Sequence, residues 1–319
     1  MSKLFVTGGA GFIGSNYVAW ILANSDDDVT VFDALTYAGN TDNLRPFEDD
    51  PRFRFVKGDI TDRDAVAEAL PGHDQIVHFA AESHVDRSIV DPDAFVSTNC
   101  GGTNVLCDIA RQVGVERFLH ISTDEVYGSI DEGSFSEIDA LAPRSPYSAA
   151  KAGSDLIALA YHETHGLPVV VTRSSNNFGP NQYPEKVIPL FVTNLLDGRK
   201  VPLYGDGLNV RDWCFVDDNC EAVDRVRRQG VTGEIYNIGA GNEITNKDLT
   251  LRLLARLGHD ESMIEPVQDR LGHDRRYSID TTKVRALGWS PRHDLDAALD
   301  QTVSWYRDNR WWWEPLLGS

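Results

Sequence analysis

The segment Thr7-Gly8-Gly9-Ala10-Gly11-Phe12-Ile13-Gly14 limits what this chain can become more than any other. It follows an apolar run over residues 4–8 and opens a stretch, 13–23, whose apolar residues recur at helical spacing. Gly8, Gly11 and Gly14 fall at every third position, and glycine permits both a tight turn and close backbone approach to a ligand. A helix beginning there points its first N–H groups and the positive end of its dipole at the turn's contents. A strand, such a turn and a helix in succession are built to hold a pyrophosphate.

Further apolar runs ending in small or acidic residues lie at 29–33, 53–59, 75–81, 117–122 and 169–174, with helical patterns between several, as at 99–113. This alternation predicts an α/β fold with a doubly wound parallel sheet (Rossmann) and its ligand at the carboxyl ends of the strands. After about residue 174 the rhythm breaks into Pro- and Gly-rich segments with shorter helices. The expected organisation is a dinucleotide-binding domain over 1–175, rejoined by a segment at about 212–239. A smaller C-terminal substrate-binding domain is expected from 176–211 and 240–319.

Composition narrows the function. With 319 residues, 41% hydrophobic and 25% charged, the chain can bury a full core. No apolar run approaches the roughly 20 residues that span a bilayer. The N-terminus enters strand-like Lys3-Leu4-Phe5-Val6 with no signal-peptide pattern, so a cytoplasmic location is expected. Cys100, Cys107, Cys214 and Cys220 form no C-x-x-C pair and read as small core residues. His162-Glu163-Thr164-His165 is not H-E-x-x-H and has no evident third ligand, so no metal is expected. A net charge of −19 argues against nucleic acid as a partner. With lysine scarce beside arginine, that charge also suggests a surface suited to high salt. An anionic substrate then needs local islands of arginine and lysine.

Asp33 ends the second strand about 20 residues beyond the glycine turn, where an acid binds both ribose hydroxyls. It would repel a 2′-phosphate, and Ala34-Leu35-Thr36 supplies no arginine to receive one, so NAD is favoured over NADP. Asp59-Ile60 either reaches the adenine or forms an ordinary turn. Tyr147 and Lys151 are four apart and share a helix face. A phenol near pKa 10 is a poor base at neutral pH unless an ammonium and a nicotinamide cation lower it. Ser122-Thr123-Asp124-Glu125-Val126-Tyr127-Gly128 leaves the fifth strand with two adjacent carboxyls. They suit paired acid and base chemistry, and equally the N-cap and first turn of a helix.

Blocks along almost the whole chain resemble the dTDP-glucose 4,6-dehydratases of the extended short-chain dehydrogenase/reductase family. They are the glycine turn (8–14), Ala-Ala-Glu-Ser-His-Val-Asp-Arg-Ser (80–88), Thr-Asp-Glu-Val-Tyr-Gly (123–128), Pro-Tyr-Ser-Ala-Ala-Lys-Ala (146–152), Asn-Asn-Phe-Gly-Pro (176–180), Arg-Asp-Trp (211–213) and Asp-Arg-Leu-Gly-His-Asp (269–274). Leu271 replaces the family's usual proline, and Gly153 its usual alanine or serine.

The resemblance implies that Tyr147, aided by Thr123 and Lys151, takes the 4-hydroxyl proton, that Glu125 removes the C5 hydrogen and that Asp124 protonates the leaving 6-hydroxyl. Its NAD contacts would be Gly8, Gly11, Phe12, Ile13, Gly14, Asp33, Leu35, Thr36, Asp59, Ile60, Ala80, Ala81, Thr98, Tyr147, Lys151 and Asn177. Ser83, Asn176, Lys186, Arg211, Asn246, Arg270 and His273 would contact the nucleotide-diphosphate sugar, with Arg211 and Arg270 on the diphosphate and Tyr204 in the base-binding stretch. Either dTDP or UDP fits these motifs. A homodimer is expected through helices at about 99–113 and 147–165, whose Leu106, Ile109, Ala110, Leu156, Leu159 and Ala160 exceed what one sheet face requires. The rivals are a 4-epimerase on the same scaffold and an idle NAD-binding protein. Trp311-Trp312-Trp313 reads as terminal-helix packing or as an interface.

Overall fold

The computed structural model describes residues 1–269 and 272–318. Twelve strands are formed among them: β1 Lys3–Thr7, β2 Asp28–Asp33, β3 Phe53–Lys57, β4 Gln75–His78, β5 Arg117–Thr123, β6 Val169–Ser174, β7 Asn176–Phe178, β8 Val201–Tyr204, β9 Val210–Phe215, β10 Ile235–Ile238, β11 Glu243–Thr245 and β12 Ile264–Val267. Seven make one wholly parallel sheet in the order β10-β6-β5-β4-β1-β2-β3. The chain runs outward from β1 to β3, then crosses back to build the other half from β4. Strand order therefore reverses between β1 and β4, which opens a crevice at their carboxyl ends.

The sheet is covered on both faces, so its strands are near-continuous apolar runs. Alternation along β1 sorts its side chains. Leu4 and Val6 join Tyr17, Val18 and Ile21 of helix Phe12–Asn24 and Val223 and Val226 of helix Val216–Gln229. Phe5 joins Leu106, Ile109 and Ala110 of helix Thr103–Val113 and Ala158 of helix Pro146–His165 on the other face. Before Thr103 the helix widens into π-type turns over Val96–Gly102. The departure at Gly153 has a local cause here, because a Cβ there would lie 2.8 Å from Cys100 Sγ.

A second core gathers Phe191 and Leu195, Trp213 and Phe215, Leu253, Tyr306, Trp312 and Trp313. It underlies a three-stranded sheet, β11-β9-β7, and the pair β12-β8. Within 212–239, β9 belongs to this smaller sheet, whereas helix Val216–Gln229 and β10 rejoin the large one. Trp312 and Trp313 pack as the terminal-helix reading requires, while Trp311 stays 53% exposed. All four cysteines are free. Among the described residues no helix is long and apolar enough to cross a membrane.

Candidate active site

At the crevice, Gly8, Gly11, Phe12, Ile13, Gly14, Asp33, Thr36, Asp59, Ile60, Ala80, Ala81, Thr98, Tyr147, Lys151 and Asn177 line one continuous cleft. Leu35, expected among them, does not line it. Its backbone takes φ +55°, and its side chain packs against the core beside helix Phe12–Asn24. The glycines are needed for close approach: a Cβ on Gly8 would sit 2.5 Å from Ala80 N, and one on Gly14 2.2 Å from Gly8 O. No side chain caps the helix at Gly11, which leaves its first-turn N–H groups for an anion.

Asp33 accepts from Ala10 N at 2.9 Å and from Leu35 N at 2.8 Å, one bond to each carboxyl oxygen. Burial pushes this carboxyl up, and the two backbone bonds oppose that. Each oxygen keeps a further lone pair for a ribose hydroxyl. Along the same cleft, the buried Ser122 Oγ, Asn176 Oδ1 and Asn177 Oδ1 find no protein partner among the described residues. A 2′-hydroxyl dinucleotide fits this set of donors and acceptors.

The carboxyl end of β5 delivers the reactive groups. Thr123, not Asp124, caps the short turn Asp124–Tyr127, accepting from Glu125 N at 3.3 Å. Its hydroxyl donates to Asp124 Oδ1 at 3.3 Å, while Asp124 Oδ2 is buried with no partner among the described residues. Burial raises the Asp124 carboxyl well above the carboxylate range, and the charges of Glu125 and Asp212 add to this against Arg211. This setting favours the protonated form of the acid. Glu125 lines the cleft.

Facing this turn is helix Pro146–His165, started by Pro146 and a capping box in which Ser145 Oγ accepts from Ser148 N at 3.0 Å. Tyr147 and Lys151 lie on its first two turns. Lys151 Nζ donates to Ile121 O at 2.6 Å, and burial pushes its ammonium down to about 8. Burial raises the Tyr147 phenol, with Glu125 and Asp124 adding and a Thr123 hydrogen bond opposing. Lys151 therefore does not by itself prepare Tyr147 as a base, because burial and the neighbouring Glu125 both oppose loss of the phenol proton. A cationic ring bound beside it is the remaining source of positive charge.

Ser83, Asn176 and Lys186 share the cleft, and Lys186 Nζ donates to Ser83 O at 2.7 Å. Arg211, Asn246, Tyr204 and His273 form a second group outside its lining. Pairing of β9 with β11 sets Arg211 opposite Ile244, two residues before Asn246. The Tyr204 and His273 rings stand edge to face at 6.4 Å. Arg270 lies outside the described residues. Buried Arg211 donates to Val210 O at 2.7 Å and Asp274 O at 2.8 Å, and its guanidinium carbon lies 4.0 Å from the centroid of Tyr277. Asp274 in turn accepts from Tyr277 Oη at 2.8 Å and pairs with Arg144 at 3.5 Å. Tyr277, Asp274 and Arg144, none of them among the expected site residues, make the surroundings of Arg211. The rule that a buried arginine needs partners could have prompted a search for them, but not said where they lie.

The family model described as GDP-mannose 4,6 dehydratase matches residues 5–302. A dTDP-glucose 4,6-dehydratase of Streptomyces antibioticus is 57% identical over 98% of this chain and 95% of its own length. The crystal structure of DesIV, the dTDP-glucose 4,6-dehydratase of Streptomyces venezuelae with NAD and dTDP bound, superimposes with a TM-score of 0.97 at 56% identity. That superposition covers 98% of this chain and 99% of DesIV. The chain belongs to the dTDP-glucose 4,6-dehydratase family. A protein of Haloferax volcanii named for low-salt glycan biosynthesis is 55% identical over 95% of this chain and 98% of its own. The resemblance carried by the separate motifs thus extends through the segments between them.

Proposed function

We propose that this chain converts dTDP-glucose to dTDP-4-keto-6-deoxyglucose by NAD-dependent dehydration. The observation that carries the reading is the buried Asp124 carboxyl, whose Oδ2 has no partner among the described residues, directly beside Glu125, which lines the cleft with Tyr147 although Asp124 itself does not. An epimerase eliminates nothing and has no use for such an acid beside a second carboxyl. Bound NAD supplies a site that holds a hydride from sugar C4 until its return to C6.

The chain's own groups handle the protons. Tyr147, oriented through Thr123 and the helix face it shares with Lys151, takes the proton of the 4-hydroxyl. The ketone so formed acidifies C5–H, which Glu125 removes. Asp124 gives its proton to the 6-hydroxyl, which leaves as water. Residues 1–175 with 212–239, joined by Asn177, serve NAD; the rest of 176–211 and 240–319, with Ser83, serve the nucleotide sugar. Lys186 and Asn176 meet the sugar end, Arg211 and Arg270 the diphosphate, and Tyr204, Asn246 and His273 the nucleoside end. An arginine's planar fork of N–H donors suits phosphate oxygens.

Asp124→Asn and Glu125→Gln test the assignment. Each should slow elimination by about 10²–10⁴-fold, the usual worth of a positioned acid or base, while oxidation at C4 persists. Glu125→Gln should also suppress exchange of the C5 hydrogen with solvent, measured by NMR in D2O. Full turnover in both variants would return the epimerase reading to first place.

A homodimer in the cytoplasm belongs to the same proposal. Leu106, Ile109 and Ala110 are consumed by the chain's own core, so they cannot argue for it. What remains outside is Ile89, Val90, Val96 and Leu156, exposed by 43%, 86%, 55% and 58%. Light scattering of the parent should give a dimer, and Leu156→Glu a monomer with unchanged circular dichroism. A monomeric parent would end this part of the reading.

A further inference from the structure

Trp311-Trp312-Trp313 takes no part in the chemistry above, yet its hydrogen bonds lead back to the cofactor turn. A buried tryptophan needs one acceptor for its indole N–H, and a residue that only fills space takes a nearby one. Trp313 does so, donating at 2.7 Å to Tyr306 O in the preceding helix, Leu295–Asp308. Trp312 is 3% exposed and instead donates at 2.8 Å to Asn43 Oδ1, 269 residues away. Asn43, itself 4% exposed, donates through Nδ2 to Ala10 O at 2.9 Å.

Ala10 stands inside the glycine turn. Its carbonyl also accepts from Asn40 N at 3.0 Å, and its N–H donates to Asp33 Oδ2 at 2.9 Å. An indole N–H is a donor only, so it selects the oxygen of the Asn43 amide and turns the amide's NH2 toward Ala10. The C-terminal element thereby sets the direction of a hydrogen bond in the phosphate-binding turn. The same C-terminal region reaches a second part of the cleft lining. Tyr306, whose ring stands 6.4 Å from that of Trp312, donates its hydroxyl to Gln182 O. Gln182 Nε2 donates at 3.0 Å to Asn177 O, and both residues line the cleft.

We propose that Trp312 is a positioning residue which, acting through Asn43 on the glycine turn while Tyr306 acts through Gln182 on a second part of the lining, forms a clasp that retains the bound cofactor. The inference rests on the reading of the glycine turn as the NAD site. Its use follows from the reaction, since the hydride taken from a sugar must go back to that sugar and escape of the reduced cofactor would strand the ketone.

The test measures release of bound cofactor from holoenzyme, by chase with excess unlabelled NAD, in the parent, Trp312→Phe, Asn43→Asp and Trp313→Phe. Trp312→Phe keeps the ring and loses the bond to Asn43; Asn43→Asp keeps an acceptor for Trp312 and loses the donor to Ala10. Both should release NAD about 2- to 10-fold faster, the equivalent of one net hydrogen bond. Both should also stall during turnover unless NAD is added, whereas Trp313→Phe should release it at the parental rate. If Trp312→Phe fails to fold, Asn43→Asp decides. Parental release from Asn43→Asp, or equal acceleration by Trp313→Phe, would overturn the clasp. A parent that carries no NAD at all would instead sink the cofactor reading beneath it.

Discussion

Burial drives the Asp124 carboxyl up, Glu125 and Asp212 add to the effect, and Arg211 only partly offsets them. The sign of the stability effect follows. Below about pH 3.8 Asp124 is protonated whether the chain is folded or not. As pH rises past that value the unfolded chain ionises freely and the folded one does not, so folding is progressively penalised. Asp124→Asn removes that penalty. It should melt above the parent at pH 8 and together with it near pH 4, by calorimetry in parallel buffers. An equal difference at both pH values would mean that Asp124 is ionised in the fold. Residues of this kind were legible in the sequence because their partners are local: Thr123 caps its own turn, and Tyr147 shares a face with Lys151. Leu35 was not, because a left-handed backbone turns its side chain into the core and no pattern marks that. The Arg211 setting was equally hidden, since Asp274 and Tyr277 lie more than sixty residues away.

Among the elements, helix Pro146–His165 has the most demanding task, because it aims two reactive side chains from one end. Its seating is polar. Asp155, one turn beyond Lys151, accepts from Arg173 Nε of β6 at 2.9 Å and lies 3.2 Å from His120 Nε2 of β5. Their side chains are at most 1% exposed. Burial works to raise the Asp155 carboxyl, but His120, Arg173 and Lys151 together hold it below its ordinary value. Its contribution to stability is therefore present above about pH 4 and lost as pH falls through the depressed value. Asp155→Asn keeps the shape and leaves the Arg173 guanidinium buried without its counter-charge, at a cost of about 3–5 kcal/mol at neutral pH. Denaturant unfolding should show that loss, and a change under about 1 kcal/mol would show that water or Tyr127, whose ring centroid is 4.7 Å away, neutralises the arginine. The strand and helix order was readable because period-2 and period-3.6 patterns alternate so cleanly through residue 174. The widened turns at Val96–Gly102 and the pairing of β9 with β7 rather than with the large sheet were not, since both are set by tertiary packing.

For the molecule as a whole, charge is the least absorbed feature. With 49 acidic and 30 basic residues, ion pairing leaves a net −19 that repels itself across the folded surface. Some pairs are sheltered: Arg227, 2% exposed, donates to Asp27 at 2.8 Å and to Asp224 at 2.8 Å, tying helix Val216–Gln229 to the start of β2. Others stand in solvent, as where Arg252 and Arg256 meet Asp296. Salt acts on these differently. The Debye length falls from about 10 Å at 0.1 M to about 3 Å at 1 M, so it weakens exposed pairs and long-range repulsion together and leaves the sheltered network largely alone. Exposed pairs contribute at most about 1 kcal/mol each, and many contribute nothing measurable. The uncompensated charge is spread over the whole surface and has no favourable term to lose. Screening should therefore stabilise on balance. The expected result is a melting temperature that climbs by several degrees between 0.1 and 2 M NaCl, steeply at first and then flattening as the Debye length drops below the spacing of surface carboxylates. Sodium chloride is the proper probe, because sulfate strengthens apolar burial in any protein and would raise the melting point without regard to charge. A melting temperature that stays flat or falls across the series would show that the exposed ion pairs outweigh the net repulsion, and that the acidic composition serves solubility alone.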